Sequence, residues 1–452
     1  MKVSARSSLT RMACTAALAL AGLMLLSAPA AAQIPQGWQA SNMRPIGYSD
    51  LDGRGGAFKM AIKQVGGRWY LYMAHLWNRG WSIVDVTDPA KPKVAKFVPG
   101  PDNTWTIQMD LHDNTMITAL QRMAPQWGGD PNKPNDEGLL IWDISDPLNP
   151  RQLGHWKTGS TGVHRAGYPG GRYVNMAANM PGFMGQILVF LDISDPANPK
   201  EAGRWWMPGQ KQGEAPAGPG RGGISFHGPA MVDGNRAILG YGSSFVILDI
   251  SDISNPKPVS QLNFVPPFKP GISAHSVQPI PGKSIASINS EGSGGDTAMQ
   301  APTCSGPIDL TAMVDYKNPA QPRMISILPI PAPPPGATYT SFCDKGGRFG
   351  PHNTNTLQHL PDVEKQADLI YLTYFNAGLR VFDVKEPRVP RETGWFIPPT
   401  PPKRIGLLPA ALVNQTEDVL VDTRGNIYIT DKQWGLWVLR YSGPDQPAPT
   451  AK

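Results

Sequence analysis

The stretch LIWDISDPLNP, residues 140–150, decides the fold, because it joins an apolar strand to a proline-bounded turn and recurs along the chain. Its apolar run ends at Asp143, and Asp146 with Pro147 opens a tight turn. Proline fixes φ there, and the carboxylates accept turn N–H groups. We therefore expect the repeated aspartates to be structural. Six copies of the phrase align on Asp85, Asp143, Asp192, Asp249, Asp315 and Asp383.

These aspartates lie 49 to 68 residues apart, which indicates a repeat with loop insertions. A degenerate seventh copy, GLWVLRYSGP at 435–444, has Arg440 in the aspartate position. Within each period the phrase follows two strand-like runs joined by a Gly turn and precedes one more short run. This pattern predicts an all-β, seven-bladed β-propeller over residues 33–445, followed by a disordered tail, 446–452.

The chain ends soon after the third strand of its last blade, which leaves that blade without an outer strand. Residues Met43 to Leu51 are predicted to supply it, because an N-terminal strand there covers an exposed sheet edge. The propeller would then be closed by its two termini.

The N-terminal segment 1–32 has the pattern of a cleavable export signal. Lys2, Arg6 and Arg11 precede an apolar run, and small residues lead to Ala32. We expect a periplasmic or secreted protein with no membrane insertion after cleavage. Loss of the three basic residues lowers the formal net charge from +6 to +3. The remaining Lys and Arg are scattered, which argues against a nucleic-acid partner.

Cys14 would leave with the export signal, so Cys304 and Cys343 remain as a pair. A disulfide between them is predicted for an oxidising compartment, and a pair of soft metal ligands is the alternative.

The Asp-Ile-Ser-Asp-Pro phrase, present at 143–147 and 192–196, resembles the LVIVD-repeat family of exported bacterial propellers. The resemblance covers nearly the whole mature chain. It implies the fold but no single reaction, since one fold hosts many functions.

Alignment of the periods places one residue per blade at the start of the innermost strand. In a propeller these starts meet at one mouth of the channel, and five blades contribute a histidine there. Clustered neutral imidazoles are typical ligands of Zn, Cu and Fe. The predicted ligands are His164, His227, His275 and His352, with His112 less secure because its blade has a shortened hairpin. Glu417 takes the same position in a sixth blade, and Phe58 or Lys59 in the first.

The second strand of each blade ends at the same mouth and predicts a further tier: His75, Asn179, Tyr241, Glu291, Tyr374 and Lys432. Glu417 is interpreted either as a general base or as a residue that orients an imidazole. Arg165, Arg221 and Lys59 are candidates for binding a substrate anion, although each could also be an ordinary wall charge. Tyr168, with Tyr241 and Tyr374, could shape a pocket or simply pack. His155 and His359 are expected to be ordinary surface residues.

Two classes of function remain open. The first is a metal-dependent oxidoreductase that acts on a small organic substrate, with Cu or Fe favoured and Zn as an alternative. A Zn-dependent hydrolase or lyase that uses Glu417 as its base competes with it. The second class is a non-catalytic binding or scaffold propeller, with a protein partner at the long loops 124–138, 208–223, 292–307 and 331–350.

The histidine ring is similar in arrangement to the sites of carotenoid-cleaving oxygenases and of the selenium-binding or methanethiol-oxidase propellers. The sequence signatures of those groups are missing, so their substrates are not implied. The sequence also lacks a phosphate loop, a nucleophile elbow and a His-Glu-x-x-His motif. Nucleotide chemistry and the common hydrolase mechanisms therefore have no support.

Overall fold

Short apolar runs between Gly and Pro turns form β-strands throughout the computed structural model, which describes Met1 and residues 33–215, 224–264, 274–291 and 310–444. From Gln33 onward these residues belong to one unit, Ala32–Lys452. The predicted export signal and tail lie outside them, apart from Met1. No helix in the described ranges is long and apolar enough to cross a membrane.

The strands form groups of four that follow one another along the chain, and a pairing of Gly162 with Gln121 joins two of these groups and one short extra strand into a nine-stranded sheet. The first two strands, β1 (Gln39–Ser41) and β2 (Met43–Ser49), pair with strands from the other end of the chain. The first group then comprises β3 (Ala57–Val65), β4 (Arg68–His75), β5 (Gly80–Asp85) and β6 (Lys93–Pro99). After the short β7 (Thr104–Trp105), the second comprises β8 (Met109–His112), β9 (Thr115–Arg122), β10 (Gly138–Asp143) and β11 (Arg151–Trp156). The third comprises β12 (Gly162–Gly167), β13 (Tyr173–Asn179), β14 (Gln186–Asp192) and β15 (Lys200–Trp205).

The remaining groups complete the array. The fourth comprises β16 (Met231–Asp233), β17 (Arg236–Tyr241), β18 (Ser244–Asp249) and β19 (Lys257–Asn263). The fifth comprises β20 (Ser276–Pro279), β21 (Ile285–Asn289), β22 (Thr311–Asp315) and β23 (Arg323–Ile327). The sixth comprises β24 (Leu369–Thr373), β25 (Leu379–Asp383) and β26 (Arg391–Ile397) with β1, and the seventh β27 (Thr416–Val421), β28 (Ile427–Asp431) and β29 (Gly435–Tyr441) with β2. The prediction of an all-β propeller is confirmed.

Closure by the N-terminal strand is also confirmed. β2 pairs antiparallel with β29, from Met43 opposite Tyr441 to Ser49 opposite Leu436. β1 was not predicted. It pairs with β26 at the outer edge of the sixth group. At the inner edge of the same group, the segment that contains Thr354 meets β24 at an isolated bridge between Thr354 and Leu372. The N-terminal segment therefore ties two neighbouring blades together.

The repeated aspartates have the structural role that the sequence indicates. In all six copies, Oδ1 accepts the backbone N–H of the residue two positions later, at 2.8 to 3.0 Å. Each aspartate thereby ends its strand and starts the proline turn, which explains why the phrase recurs at every third strand.

Apolar cores lie between neighbouring blades. Ile238 and Phe245 of the fourth group share one core cluster with Val277 and Ile288 of the fifth. Close approach of the blades also needs glycine. A Cβ on Gly203 in β15 would lie 1.9 Å from the Ile253 carbonyl oxygen of the next blade. This packing fixes the relative positions of the inner strands, whose starts carry the candidate site.

Cys343 is disulfide-bonded, and Cys304 lies outside the described residues. The pairing of these two cysteines stays a prediction. Of the predicted partner loops, 292–307 lies wholly and 208–223 partly outside the described residues.

Candidate metal centre

The starts of the inner strands surround a cavity of about 120 Å³. Its lining combines ionisable side chains with aromatic and aliphatic ones. The lining residues are Phe58, Leu76, Trp105, Ile107, Trp127, His164, Arg165, His227, Glu291, Arg348, His352, Glu417 and Lys432.

Four of the five predicted histidines come together here, although they lie up to 188 residues apart in sequence. The Nε2 atoms of His164 and His227 are 3.1 Å apart. The ring centroids of His227 and His275 are separated by 4.1 Å, and those of His275 and His352 by 5.0 Å. Two nitrogen ligands of one tetrahedral ion lie about 3.3 Å apart. The His164–His227 pair is therefore already close to that spacing.

Glu291 adds a carboxylate to these imidazoles. Its Oε2 lies 3.5 Å from Nε2 of His275 and 4.0 Å from Nε2 of His227, and its Oε1 lies 3.9 Å from Nε2 of His352. Two ligands with bonds of about 2.1 Å to the same ion can be at most about 4.2 Å apart, so each pair fits a shared ion. Glu291 also has a φ of 51°, a conformation that costs energy for a residue with a Cβ and that is enriched at functional sites.

Hydrogen bonds behind the imidazoles orient two of them. His164 Nδ1 donates to Gln121 Oε1 at 2.7 Å, and His352 Nδ1 donates to the Glu417 carbonyl oxygen at 2.6 Å. With the proton on Nδ1, Nε2 keeps a lone pair. Such outer hydrogen bonds are typical of metal-binding histidines.

His275 is held differently. Arg165 Nη2 donates to His275 Nε2 at 3.0 Å, while Nη1 donates to Ser276 Oγ at 3.0 Å. A guanidinium can only donate, so it occupies the lone pair that a metal would need. His275 is 1% exposed, and it is not one of the described residues that line the cavity. Arg165 thus contacts a candidate ligand, and its predicted role in binding an anion stays a prediction.

Burial favours the neutral form of all four imidazoles. Burial lowers the pKa of His164 to about 3, with a smaller effect from the Arg165 charge. Burial, followed by the same Arg165 charge, holds the pKa values of His227, His275 and His352 well below the usual range. The cluster therefore needs no bound anion at pH 7, and neutral imidazole is the form that binds metals.

Glu417 lies behind His352. Its Oε2 is 3.3 Å from His352 Nδ1, and its Oε1 is 3.0 Å from Lys432 Nζ. The carboxylate is 1% exposed. The ammonium group of Lys432 compensates this buried negative charge. Arg348 has the same relation to Glu291, with Nη1 2.9 Å from Oε1.

His112 does not lie with the other four histidines. It ends β8 rather than starting it, and its ring stacks on that of His359 at 6.2 Å. Ile107 lines the cavity in its place. The alignment misplaced His112 because β8 begins only at Met109. His359, predicted as a surface residue, lies 3.4 Å from Asp110 Oδ1 and lines a larger cavity of about 290 Å³ at the other ends of the inner strands.

The predicted second tier divides in two. Glu291 and Lys432 line the cavity, whereas His75, Tyr241 and Tyr374 do not. Tyr241 is buried and donates to Gln210 Oε1, and Tyr374 packs against Phe349. Lys59 and Tyr168 line the larger cavity at the opposite end, and Arg221 lies outside the described residues.

Gln121, Arg348, Trp105 and Trp127 were not predicted. Gln121 lies near the end of β9, in the second blade, and Asn179 has the corresponding position at the end of β13, in the third. Including the second blade in the second-tier comparison would therefore have found Gln121. Trp105, Trp127 and Arg348 lie outside the long strands of the repeat, where the periodicity carries no signal.

His75 is a core histidine with a testable pH effect. Its Nδ1 donates to the Gly55 carbonyl oxygen at 3.0 Å, Nε2 lies 2.7 Å from Ser82 Oγ, and burial lowers its pKa to about 4. Between pH 6.5 and 4 the unfolded chain binds a proton at His75 that the folded chain does not bind. The free energy of unfolding therefore decreases as the pH is lowered through this range, by about 3 kcal/mol in total. In the His75→Gln variant this fall is expected to be smaller. Urea unfolding at pH 7 and 4.5 measures it, and an unchanged difference would contradict the assignment.

Comparison with known proteins supports the fold. Residues 66–98, 134–158, 182–206 and 231–263 match the LVIVD repeat. No curated protein sequence matches the chain. Among solved structures, the chain is similar to the β-propeller domain of Cps50 (Swd1) from Myceliophteria thermophila, with a TM-score of 0.52 and 10% identity over 88% of this chain and 99% of that one.

Two further solved structures are similar at lower scores. One is a hypothetical selenium-binding protein from Sulfolobus tokodaii, with a TM-score of 0.48 and 11% identity over 88% of this chain and 96% of that one. The other is a protein from Lactobacillus plantarum, with a TM-score of 0.47 and 12% identity over 86% and 96%. The chain therefore contains LVIVD repeats, and they lie in a β-propeller architecture.

Proposed function

We propose that the cavity binds one redox-active transition ion, Cu or Fe, and that the protein is an exported oxidoreductase acting on a small organic molecule. The observations that carry the proposal are the 3.1 Å approach of the Nε2 atoms of His164 and His227 and, next to it, the group of His227, His275 and Glu291, whose ligand atoms all lie within 4.8 Å of one another. Three imidazoles and one carboxylate form a ligand set that Cu, Fe and Zn all accept.

The proposed ligands are Nε2 of His164, His227 and His352 together with the Glu291 carboxylate. In the structure the compact group of possible ligands is His227, His275 and Glu291, so His164 and His352 would have to move towards His227 and Glu291 when the ion binds. His275 stays hydrogen-bonded to Arg165 and supports the site from behind. A bound Cu or Fe ion would supply one-electron chemistry and a binding position for dioxygen. In the overall reaction the substrate loses two electrons and two protons, and dioxygen takes up both to give hydrogen peroxide.

The ion pairs of the lining favour an oxidoreductase over a Zn-dependent hydrolase. Within the described lining the two carboxylates, Glu291 and Glu417, each have a cation within 3.0 Å. Neither is placed as a general base for a water molecule, which must be within hydrogen-bond reach of the base. Glu417 instead holds the His352 ring and acts as a positioning residue.

Metal loading followed by an oxidation assay tests the proposal. The purified protein is stripped with a chelator, incubated separately with Cu(II), Fe(II) and Zn(II), and dialysed. Elemental analysis is expected to find one ion per chain. Oxygen uptake with small organic reductants is expected for the Cu or Fe form and not for the Zn form. Retention of less than 0.1 ion per chain contradicts the metal centre, and equal oxygen uptake by the Zn form contradicts the redox role.

Arg165 gives a second test, because its positive charge next to the imidazoles opposes the binding of a cation. Arg165→Met removes that charge, and the affinity for Zn(II) is expected to rise about tenfold, which corresponds to about 1.4 kcal/mol. Competition with a chromophoric chelator measures the affinity. Arg380→Met is the control, since Arg380 is equally buried but pairs with Glu392 away from the cavity. A lower affinity in Arg165→Met would show that Arg165 supports the centre.

A further inference from the structure

One wall of the metal cavity is aromatic. Trp105 and Trp127 meet edge to face, with centroids 5.3 Å apart. The Trp105 ring lies 6.5 Å from His164, and the Phe58 ring lies 5.9 Å from His352. The aromatic surface thus reaches a proposed metal ligand at each side. A flat ring bound against it would lie next to the ion.

This wall contains a buried donor without an acceptor. Trp105 Nε1 is enclosed and has no hydrogen-bond partner among the described residues. An indole N–H can only donate, and leaving it unpaired in the interior costs about 1 to 3 kcal/mol. A ligand that brings an oxygen acceptor into the cavity removes that cost.

The charge of the lining favours an anion. Three cations and two carboxylates line the cavity, so with neutral imidazoles the net charge is +1 before any metal binds. Lys432 joins this charge to the aromatic wall, since its Nζ lies 4.9 Å from the centre of the Trp127 ring. A divalent ion would increase the positive potential further.

The size of the cavity limits the ligand to one ring. Its volume is about 120 Å³. This is somewhat less than the about 150 Å³ of an apolar cavity that binds benzene in another protein, so the cavity holds at most one six-membered ring, and a substituent has to lie in the opening.

We infer that the substrate of the metal centre is a single-ring aromatic anion, an aryl carboxylate or a phenolate, whose ring carries two ortho or para oxygen substituents that lose the two electrons and two protons to give a quinone. Its ring packs on Trp105, Trp127 and Phe58, and its oxygens face Lys432 and the metal. This inference rests on the proposed function, of which it names the substrate class.

Calorimetric titration with three probes tests the inference on the metal-free and the Zn(II)-loaded protein. Benzoate is the aromatic anion, benzyl alcohol its neutral counterpart, and cyclohexanecarboxylate a non-aromatic anion. Benzoate is expected to bind at least tenfold more tightly than either of the others. Similar affinities for benzoate and benzyl alcohol refute the role of the charge. Similar affinities for the two carboxylates refute the role of the aromatic wall.

Two variants locate the binding. Trp105→Leu is expected to weaken benzoate binding at least fivefold without changing the Zn(II) content. Trp206→Leu, at a tryptophan that packs against Phe183 in another blade, is the control and should leave both unchanged. If Zn(II) binds but benzoate does not, the substrate class is wrong and the metal centre stands. If benzoate binds but no metal is retained, the proposed function fails and the aromatic anion site remains.

Discussion

A chain that lacks Met43–Ser49 is expected to lose its cooperative unfolding transition and to aggregate. These residues form β2, which completes the seventh blade along β29. Without β2, the backbone N–H and C=O groups along one side of β29 have no partner, and an uncovered edge strand pairs readily with other chains.

The expected loss is large because β2 is well packed. Met43 and Tyr48 are 6% and 7% exposed, and the Tyr48 hydroxyl donates to the Trp434 carbonyl oxygen at 2.8 Å. Burial of two such side chains contributes about 3 to 6 kcal/mol, before the strand hydrogen bonds are counted. A domain typically has only about 5 to 15 kcal/mol of net stability. Gly47 also packs under the Pro89 carbonyl oxygen of the first blade, so the deletion removes contacts to that blade as well.

Complementation in trans provides the control. A synthetic peptide of residues 39–49 is expected to restore the transition, measured by circular dichroism on heating, whereas a scrambled peptide of the same composition is not. This rescue is expected because the peptide supplies the missing backbone partners of β29 by adding a strand to its exposed edge. A truncated chain that unfolds at the temperature of the full chain would show that closure does not depend on β2.

The fold could be predicted because its signal repeats. Each Asp143-like residue ends a strand and caps the next turn by local hydrogen bonds that span two residues, so the phrase specifies its own conformation wherever it occurs. β1 could not be predicted in this way. It is three residues long and pairs with β26, more than 350 residues later, and no local pattern encodes such a partner.

The candidate site could be predicted only where the repeat is regular. His164, His227, His275 and His352 lie at inner-strand starts that the period locates, and they do meet. In the second blade the inner strand is only four residues long, and the same counting placed His112 at the wrong end. The error is one of register. Because this strand starts later than the repeat period predicts, His112 lies at its far end, near the opposite mouth of the channel.

The hydrogen-bond roles of the ring could not be predicted from sequence. Arg165 follows His164 directly, yet its side chain reaches His275, from a blade two periods later. Such a contact depends on the side-chain rotamer and on three blades at once. It also changes the expected ligand set, since it separates a histidine that faces the cavity from one that is held by a cation.

His227→Ala is therefore expected to weaken Cu(II) and Zn(II) binding at least a hundredfold, whereas His275→Ala is expected to weaken it less than tenfold. The first change removes the nitrogen that lies 3.1 Å from His164 Nε2. The second removes a ring whose Nε2 already accepts from Arg165. A hundredfold difference corresponds to about 2.7 kcal/mol, which is in the range of one lost metal bond in a site with three remaining ligands.

The measurement is competition with a chromophoric chelator at pH 7.5, and thermal unfolding of each metal-free variant confirms that the fold is kept. His155→Ala is the matched control, because His155 lies in β11 and contacts the Glu137 carbonyl oxygen instead of the cavity. Equal losses in His227→Ala and His275→Ala would mean that Arg165 releases His275 when the ion binds. An unchanged affinity in both would overturn the metal centre, since its closest nitrogen pair would then be dispensable. Only unequal losses, with His227 dominant, agree with an ion held by His164, His227, His352 and Glu291.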